Sequence, residues 1–216
     1  MTTNINSQLD KALVSYIEQE ILPRYDRFDT AHRRDHADDV IGRSLALAKH
    51  YDVDYNMVYA IAAYHDTGLC EGRDTHHIVS GRIIREDQRL LQWFTHEQIE
   101  TMAQAAEDHR ASVGHEPRSI YGKIVAEADR LIEPLTVMRR TLQFGLDHYP
   151  EMDEEGQFLR FLKHMHEKYS DTGYLKLWLP ESENAPRLEE LRATIRDEEK
   201  LRLAFNELYH NLTHNH

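Results

Sequence analysis

Two adjacent residues, His65-Asp66, place an imidazole and a carboxylate inside an otherwise small and apolar stretch that runs Ala60-Ile61-Ala62-Ala63-Tyr64 before them and Thr67-Gly68 after them. A carboxylate in such surroundings must be paired, hydrogen-bonded or held on a metal. Two more residues offer matching chemistry. His36 shares a helix face with Val40, and Asp129 falls among Val125, Ala128 and Ile132. Together His36, His65, Asp66 and Asp129 make a nitrogen and oxygen donor set suited to a divalent ion: Mn, Fe, Co, Ni, Zn or Mg. No thiolate is placed for a softer site, because Cys70 is the only cysteine. His32 stands four residues before His36 and could replace or assist it.

The elements that must position these side chains all read as helix. Apolar residues recur at helical spacing from Ser7 to about Phe28, with Pro23 as a kink. Asp29-Thr30 offers a cap for a helix to about His50, and Asp54 caps one from Tyr55 to Asp66, with Gly68 as a residue tolerant of positive φ at its end. Further helices are expected over about 76–87, 96–109, 120–131, 134–148, 158–169, 185–196 and 197–212. The stretch Tyr174 to Pro180 reads as a short strand or extended segment. The fold class is all-α, and the chain is expected to form one domain over residues 1–216.

Composition narrows the function. A formal net charge of −12 argues against broad binding to nucleic acid or to an anionic membrane. No apolar run reaches the length of a membrane span, and the first residues lack the pattern of a signal peptide. A single cysteine leaves no internal disulfide, so a cytoplasmic home is the expectation. Cys70 is expected to be a buried structural thiol. His164 and His166 carry no assignment.

The ordered set of an early His, then His-Asp, then a distant Asp resembles the HD-domain superfamily of metal-dependent phosphohydrolases over about residues 30–140. It does so at His36 in His-Ala-Asp-Asp-Val, His65-Asp66 in Tyr-His-Asp-Thr-Gly and Asp129 in Glu-Ala-Asp-Arg. The resemblance implies an HD-like multi-helix bundle, with residues 150–216 as a helical extension packing on it. In some members two further His complete a two-metal site. One opens a helix four residues before a small residue, as His77 does before Gly81, and the other ends the next helix, as His109 does. His76 competes with His77 for the first place, since either could turn inward at a helix start. The implied ligands are then His36, His65, Asp66, His77, His109 and Asp129, holding one or two ions, with Asp66 as the bridge.

The resemblance further implies hydrolysis of a small phosphorylated substrate, a nucleotide or a phosphomonoester, by metal-activated water. Cations near the ligands in sequence, Arg33, Arg34, Arg73, Arg82, Arg85, Arg110, Lys123 and Arg130, are candidates for phosphate contact. Glu71 and Asp74 are candidates for a general base or acid beside Asp66. No Gly-Tyr-Pro signature is present, which disfavours cyclic dinucleotides. Two other functions fit the same scaffold: a di-iron oxygenase, and a non-catalytic nucleotide-binding module. The last third of the chain is expected to shape the pocket or to mediate homodimerisation.

Overall fold

Among the described residues the helical periodicity is realised as ten α-helices, with no strand. The computed structural model describes residues 9–28 and 34–214, with only the backbone of His214. The helices are α1 Lys11–Tyr16, α2 Arg34–Ala48, α3 Tyr55–Tyr64, α4 His76–Glu86, α5 His96–Asp108, α6 Ile120–Asp129, α7 Pro134–His148, α8 Glu154–Tyr169, α9 Asn184–Arg196 and α10 Glu198–His214. The expected cap at Asp29-Thr30 lies outside the described residues, as do His32 and Arg33. The expected first helix is α-helical only to Tyr16. It continues as a π-helical turn over Ile17–Ile21 and a 3-10 turn over Leu22–Arg27, where Pro23 removes a backbone donor.

The backbone divides into two compact units, Met1–Arg130 and Leu131–His216. In the first, α3 is the central element. Every residue from Met57 to Tyr64 is buried, as expected of a helix that is apolar all round. It packs against α2, α5 and α6, and α4 packs on α5. Ala60, Ala62 and Ala63 on α3, Ala105 and Ala106 on α5, and Ala126 and Ala128 on α6 are all buried. With only a methyl group at these places, neighbouring backbones come close enough to converge on one point. Enlarging one of them, for example Ala62→Leu, would cost about 1–3 kcal/mol through overpacking.

Side-chain caps fix where several of the helices start. Asp54 accepts from the Asn56 amide at 2.8 Å, and its own amide donates to the Tyr121 hydroxyl at 2.9 Å, so the start of α3 is tied to α6. Thr95 and Gln98 form a reciprocal capping box at α5. Asp87, just after α4, accepts from the hydroxyls of both Tyr16 and Tyr64, the latter at 2.5 Å. That joins α1 and the end of α3 to the end of α4.

The second unit contains α7 to α10. Its core includes a cluster of Phe158, Phe161 and Phe205, with ring centroids 5.1 and 5.4 Å apart around Phe205. Gln157 is fully buried, and its amide donates to the carbonyls of Gly145 and Tyr149. The stretch from Tyr174 is extended without forming a strand. Two amides, Tyr174 and Leu175, donate to the carbonyls of Glu167 and Lys168 at 3.0 Å, and Leu175 and Leu179 are buried. No described helix is long and apolar enough to cross a membrane.

Candidate metal centre

The centre begins where α3 ends. A helix terminus leaves its last carbonyls without intrahelical partners, and burial makes that expensive unless something else donates to them. Here side chains do. The His65 ring donates from Nδ1 to Ala62 O at 2.7 Å, the Tyr25 hydroxyl donates to Ala63 O at 3.0 Å, and Thr67 Oγ1 donates to Tyr64 O at 2.7 Å. Tyr25 also accepts from the Asp66 amide at 3.2 Å. The next turn, the 3-10 segment Thr67–Glu71, is pinned to α4 by the Gly68 amide, which donates to Ser80 Oγ at 2.9 Å.

Gly68 does not have the positive φ expected of a helix-ending glycine; that belongs to Gly72, at 108°. Gly68 is needed for close approach. A Cβ there would lie 2.0 Å from the carbonyl oxygen of His76 and 2.6 Å from the Ser80 amide nitrogen.

These constraints aim donors at one another in two groups of side chains able to hold a metal: His36 with His65 and Asp66, and Asp66 with His76 and His109. Asp66 Oδ2 is 3.3 Å from His65 Nε2 and 3.6 Å from His36 Nε2. Asp66 Oδ1 is 3.3 Å from both His76 Nε2 and His109 Nε2. Asp129 Oδ1 joins the first group, 3.2 Å from His36 Nε2 and 3.8 Å from His65 Nε2. The two oxygens of Asp66 therefore face two different imidazole pairs.

The tautomers make the purpose of this arrangement explicit. The Nδ1 atoms of His65, His76 and His109 donate to the carbonyls of Ala62, Arg73 and Ala106 at 2.7, 2.7 and 2.6 Å. Each neutral ring then turns an Nε2 lone pair inward. His36 and His65 stand 3.3 Å apart at Nε2, as do His76 and His109. Facing lone pairs and carboxylate oxygens repel, so protons or a cation must sit between them. The donor set of imidazoles and carboxylates fits a divalent ion.

The electrostatics agree. Burial pushes the Asp66 carboxyl up, but the neighbouring charge of His65 and hydrogen bonds from His109, His36 and His65 outweigh it and hold it well below the usual range. Burial likewise raises Asp129, and the His36 hydrogen bond and the charges of His65 and His109 pull it down further. Burial lowers His36, yet hydrogen bonds to Asp129 and Asp66 win and carry it to about 9. His109 is raised by Asp66 against burial, while His76 is lowered, by burial first and then by the charge of His109.

Of the two neighbouring histidines, the structure brings His76, and not the expected His77, beside Asp66 and His109. Successive residues of a helix point about 100° apart, so only one of the pair can face the core. The inward stripe of α4 is His76, Val79, Ser80 and Ile84, whereas Ile78 and Arg82 are exposed. His77 instead lines a surface groove of about 500 Å³ with Ile78, Val113 and Arg118. The sequence held the signal in an ambiguous form: His77 stands four residues before Gly81, and His76 stands four before Ser80.

The structure separates the candidate cations. Arg82 is paired with Glu71, and Lys123 with Glu116, so both are already engaged by carboxylates. Arg34 pairs with Asp38, and Arg85 with Glu100 and Glu107. Arg73 is exposed, and Arg110 donates to the Asp74 carbonyl. Arg130 is buried, with Nε and Nη1 lacking hydrogen-bond partners. Glu71 is thus held by Arg82, Asp74 is exposed, and the structure brings neither carboxylate into the two groups. Cys70, expected to be buried, is exposed.

Residues 33–133 match the family model of the HD domain. No curated protein matches the chain. A solved structure with the same fold is the crystal structure of a predicted HD superfamily hydrolase from an uncultured Thermotogales bacterium. It is 15% identical in sequence, with a TM-score of 0.55 over 94% of this chain and 98% of its own.

Proposed function

With an HD domain over residues 33–133 as the premise, we propose that the chain is a metal-dependent hydrolase, and more specifically a phosphohydrolase acting on a small phosphorylated metabolite, a nucleotide or a phosphomonoester. The observation that carries it is Asp66, whose two oxygens each face a separate pair of imidazoles. His36, His65, Asp129 and Asp66 Oδ2 would hold one ion, and Asp66 Oδ1, His76 and His109 a second.

Bound there, divalent ions would acidify a water and offset the charge that develops on a phosphoryl group. The chain's own residues do the rest. The backbone carbonyls of Ala62, Arg73 and Ala106 hold three imidazoles in the tautomer that donates inward. The two carboxylates supply two negative charges, which neutral imidazoles leave free to compensate cations. Burial of His65, Asp66 and His109 keeps bulk water from competing for those donors. Arg73, Arg110 and Arg130 are the candidates left for the substrate's phosphate, because the other described candidates are paired with carboxylates.

The test is direct. Protein loaded with Mn, Co, Fe or Ni should release phosphate from some member of a phosphate-ester panel, and Asp66→Ala should abolish that release and lower the metal content. Full activity in Asp66→Ala sinks the mechanism. Oxygen consumption by the iron-loaded protein, without phosphate release, would transfer the site to oxidative chemistry.

A further inference from the structure

His76 is held differently from the other two imidazoles that lean on backbone carbonyls. His65 and His109 each close a helix, and their Nδ1 atoms donate to Ala62 O in α3 and Ala106 O in α5, both on fully buried residues. His76 opens a helix instead. Its Nδ1 donates to Arg73 O, which lies before α4 in a stretch where every residue from Glu71 to Thr75 is exposed. Gly72, at φ 108°, turns the chain into that stretch. Burial does little to fix such a carbonyl, and Arg73 belongs to no helix. One side chain reaches it from the neighbouring helix end. Arg110 directly follows His109, and its Nη1 donates to the carbonyl of Asp74, the residue after Arg73. That hydrogen bond fixes where the guanidinium lies, and its charge is felt at both the His76 and His77 rings.

We infer that Arg110 is a positioning residue of the centre: by holding the Asp74 carbonyl it steadies the adjoining Arg73 carbonyl, and through it the His76 ring with Nε2 turned toward Asp66. The brace spans the second ligand group, because its backbone continues from His109 and its tip lies on the loop that orients His76. The inference rests on the two-ion reading of the centre for its metal readout, and not for the tautomer of His76. A charged donor holds a carbonyl more strongly than a neutral one, and a lysine ammonium can also donate to it, whereas an uncharged stem cannot. Partners that orient a metal-ligating histidine are typically worth roughly 10–100-fold in metal affinity.

The experiment has two arms. Titration of the full chain with Mn, followed by calorimetry and elemental analysis, should show that Arg110→Met weakens one of two ions roughly 10–100-fold and leaves the other as in the wild type. Arg110→Lys should recover part of that loss, because a donor again reaches the Asp74 carbonyl. In the metal-free protein, ¹⁵N spectra of the histidine rings, assigned with His76→Ala, should show His76 carrying its proton on Nδ1 in the wild type and losing that preference in Arg110→Met, while His65 and His109 keep theirs. With a phosphate ester that is turned over, the loss should fall on kcat; a residue that merely gripped phosphate would raise KM with both ions intact. That last pattern overturns the inference, as do unchanged Mn binding in Arg110→Met, equal weakening of both ions, or an unchanged His76 tautomer. If Arg110→Met folds poorly, Arg110→Gln, too short to reach the carbonyl, takes its place with the same expectations. A wild type that takes up fewer than two Mn ions sinks the two-ion reading, and the tautomer of His76 then decides the brace by itself.

Discussion

Replacing Gly68 by alanine should damage the second half of the centre from a position that contributes no ligand. The added Cβ would meet the His76 carbonyl oxygen at 2.0 Å, the Ser80 amide nitrogen at 2.6 Å and the Val79 Cβ at 2.8 Å. Two of these are backbone atoms of α4, which cannot swing aside as a side chain can. The start of α4 would have to retreat by about 1 Å to reach even the shortest separation that real Cβ atoms show. Overpacking of this kind costs about 1–3 kcal/mol, and here the upper end applies. Loss of the hydrogen bond from the Gly68 amide to Ser80 adds about 1 kcal/mol. A total of about 3–4 kcal/mol corresponds to a fall in Tm of roughly 6–16 °C for a chain of this size. Metal–ligand distances tolerate only about 0.2 Å, so moving His76 by several times that should release the ion shared by Asp66, His76 and His109. Calorimetry gives Tm and elemental analysis gives ions per chain. Gly42→Ala, with nothing within 4 Å and a place inside α2, should stabilise by about 0.5–1 kcal/mol. Gly72→Ala has space but a φ of 108° with ψ 163°, a conformation nearly confined to glycine, and should cost about 1–3 kcal/mol while keeping its metal. A Gly68→Ala protein that melts with the wild type and holds two ions would refute the close-approach argument.

Four other outcomes follow from the same geometry. Asp66→Asn should lower affinity for both ions by more than the roughly 10–100-fold typical of outer-shell changes; elemental analysis showing unchanged content would count against the bridge. His76→Ala should lose one ion per chain and His77→Ala none, and the opposite pattern would restore the sequence-based assignment. Tyr25→Phe removes the hydroxyl that joins Ala63 O to the Asp66 amide, and should cost about 1–3 kcal/mol in a denaturant titration. With no ion bound, His36 keeps its proton up to about 9, because Asp129 and Asp66 outweigh the effect of burial. Metal uptake at pH 7 must displace that proton, so apparent affinity should rise with pH and level off above about 9. Calorimetry in buffers of different ionisation heat reads the release, and equal heats would refute it. The sign for the metal-free fold is opposite. The raised His36 contributes stability that is full below about 6.5 and lost as pH rises through about 9. The depressed carboxyls of Asp66 and Asp129 contribute stability present above about 3.8 and lost as pH falls.

The sequence by itself determined the helical class and the approximate ends of most helices, because apolar spacing, Asp54, Thr95 and Ser119 as caps, and Pro134 as a first-turn residue are local signals that packing did not override. It also marked His36, His65, Asp66 and Asp129, since a polar residue on an otherwise apolar face is conspicuous, while His109 came only with the resemblance to the HD family. Only the tertiary structure decided between His76 and His77. Both precede a small residue by four, and the choice depends on how α4 rolls against the turn that Gly68 and Ser80 lock together. The same is true of the cations. Adjacency in sequence made Arg82, Lys123, Arg110 and Arg130 equal candidates, but whether a cation is neutralised depends on carboxylates brought near by the fold: Glu71 takes Arg82 and Glu116 takes Lys123, whereas Arg130 is buried within reach of the charges of Glu127 and Asp129, with no hydrogen bond from Nε or Nη1. Which side chains are candidates is therefore written mostly in helix faces, which are local. Partnership and orientation are set by contacts between residues far apart in the chain, and no spacing rule encodes them.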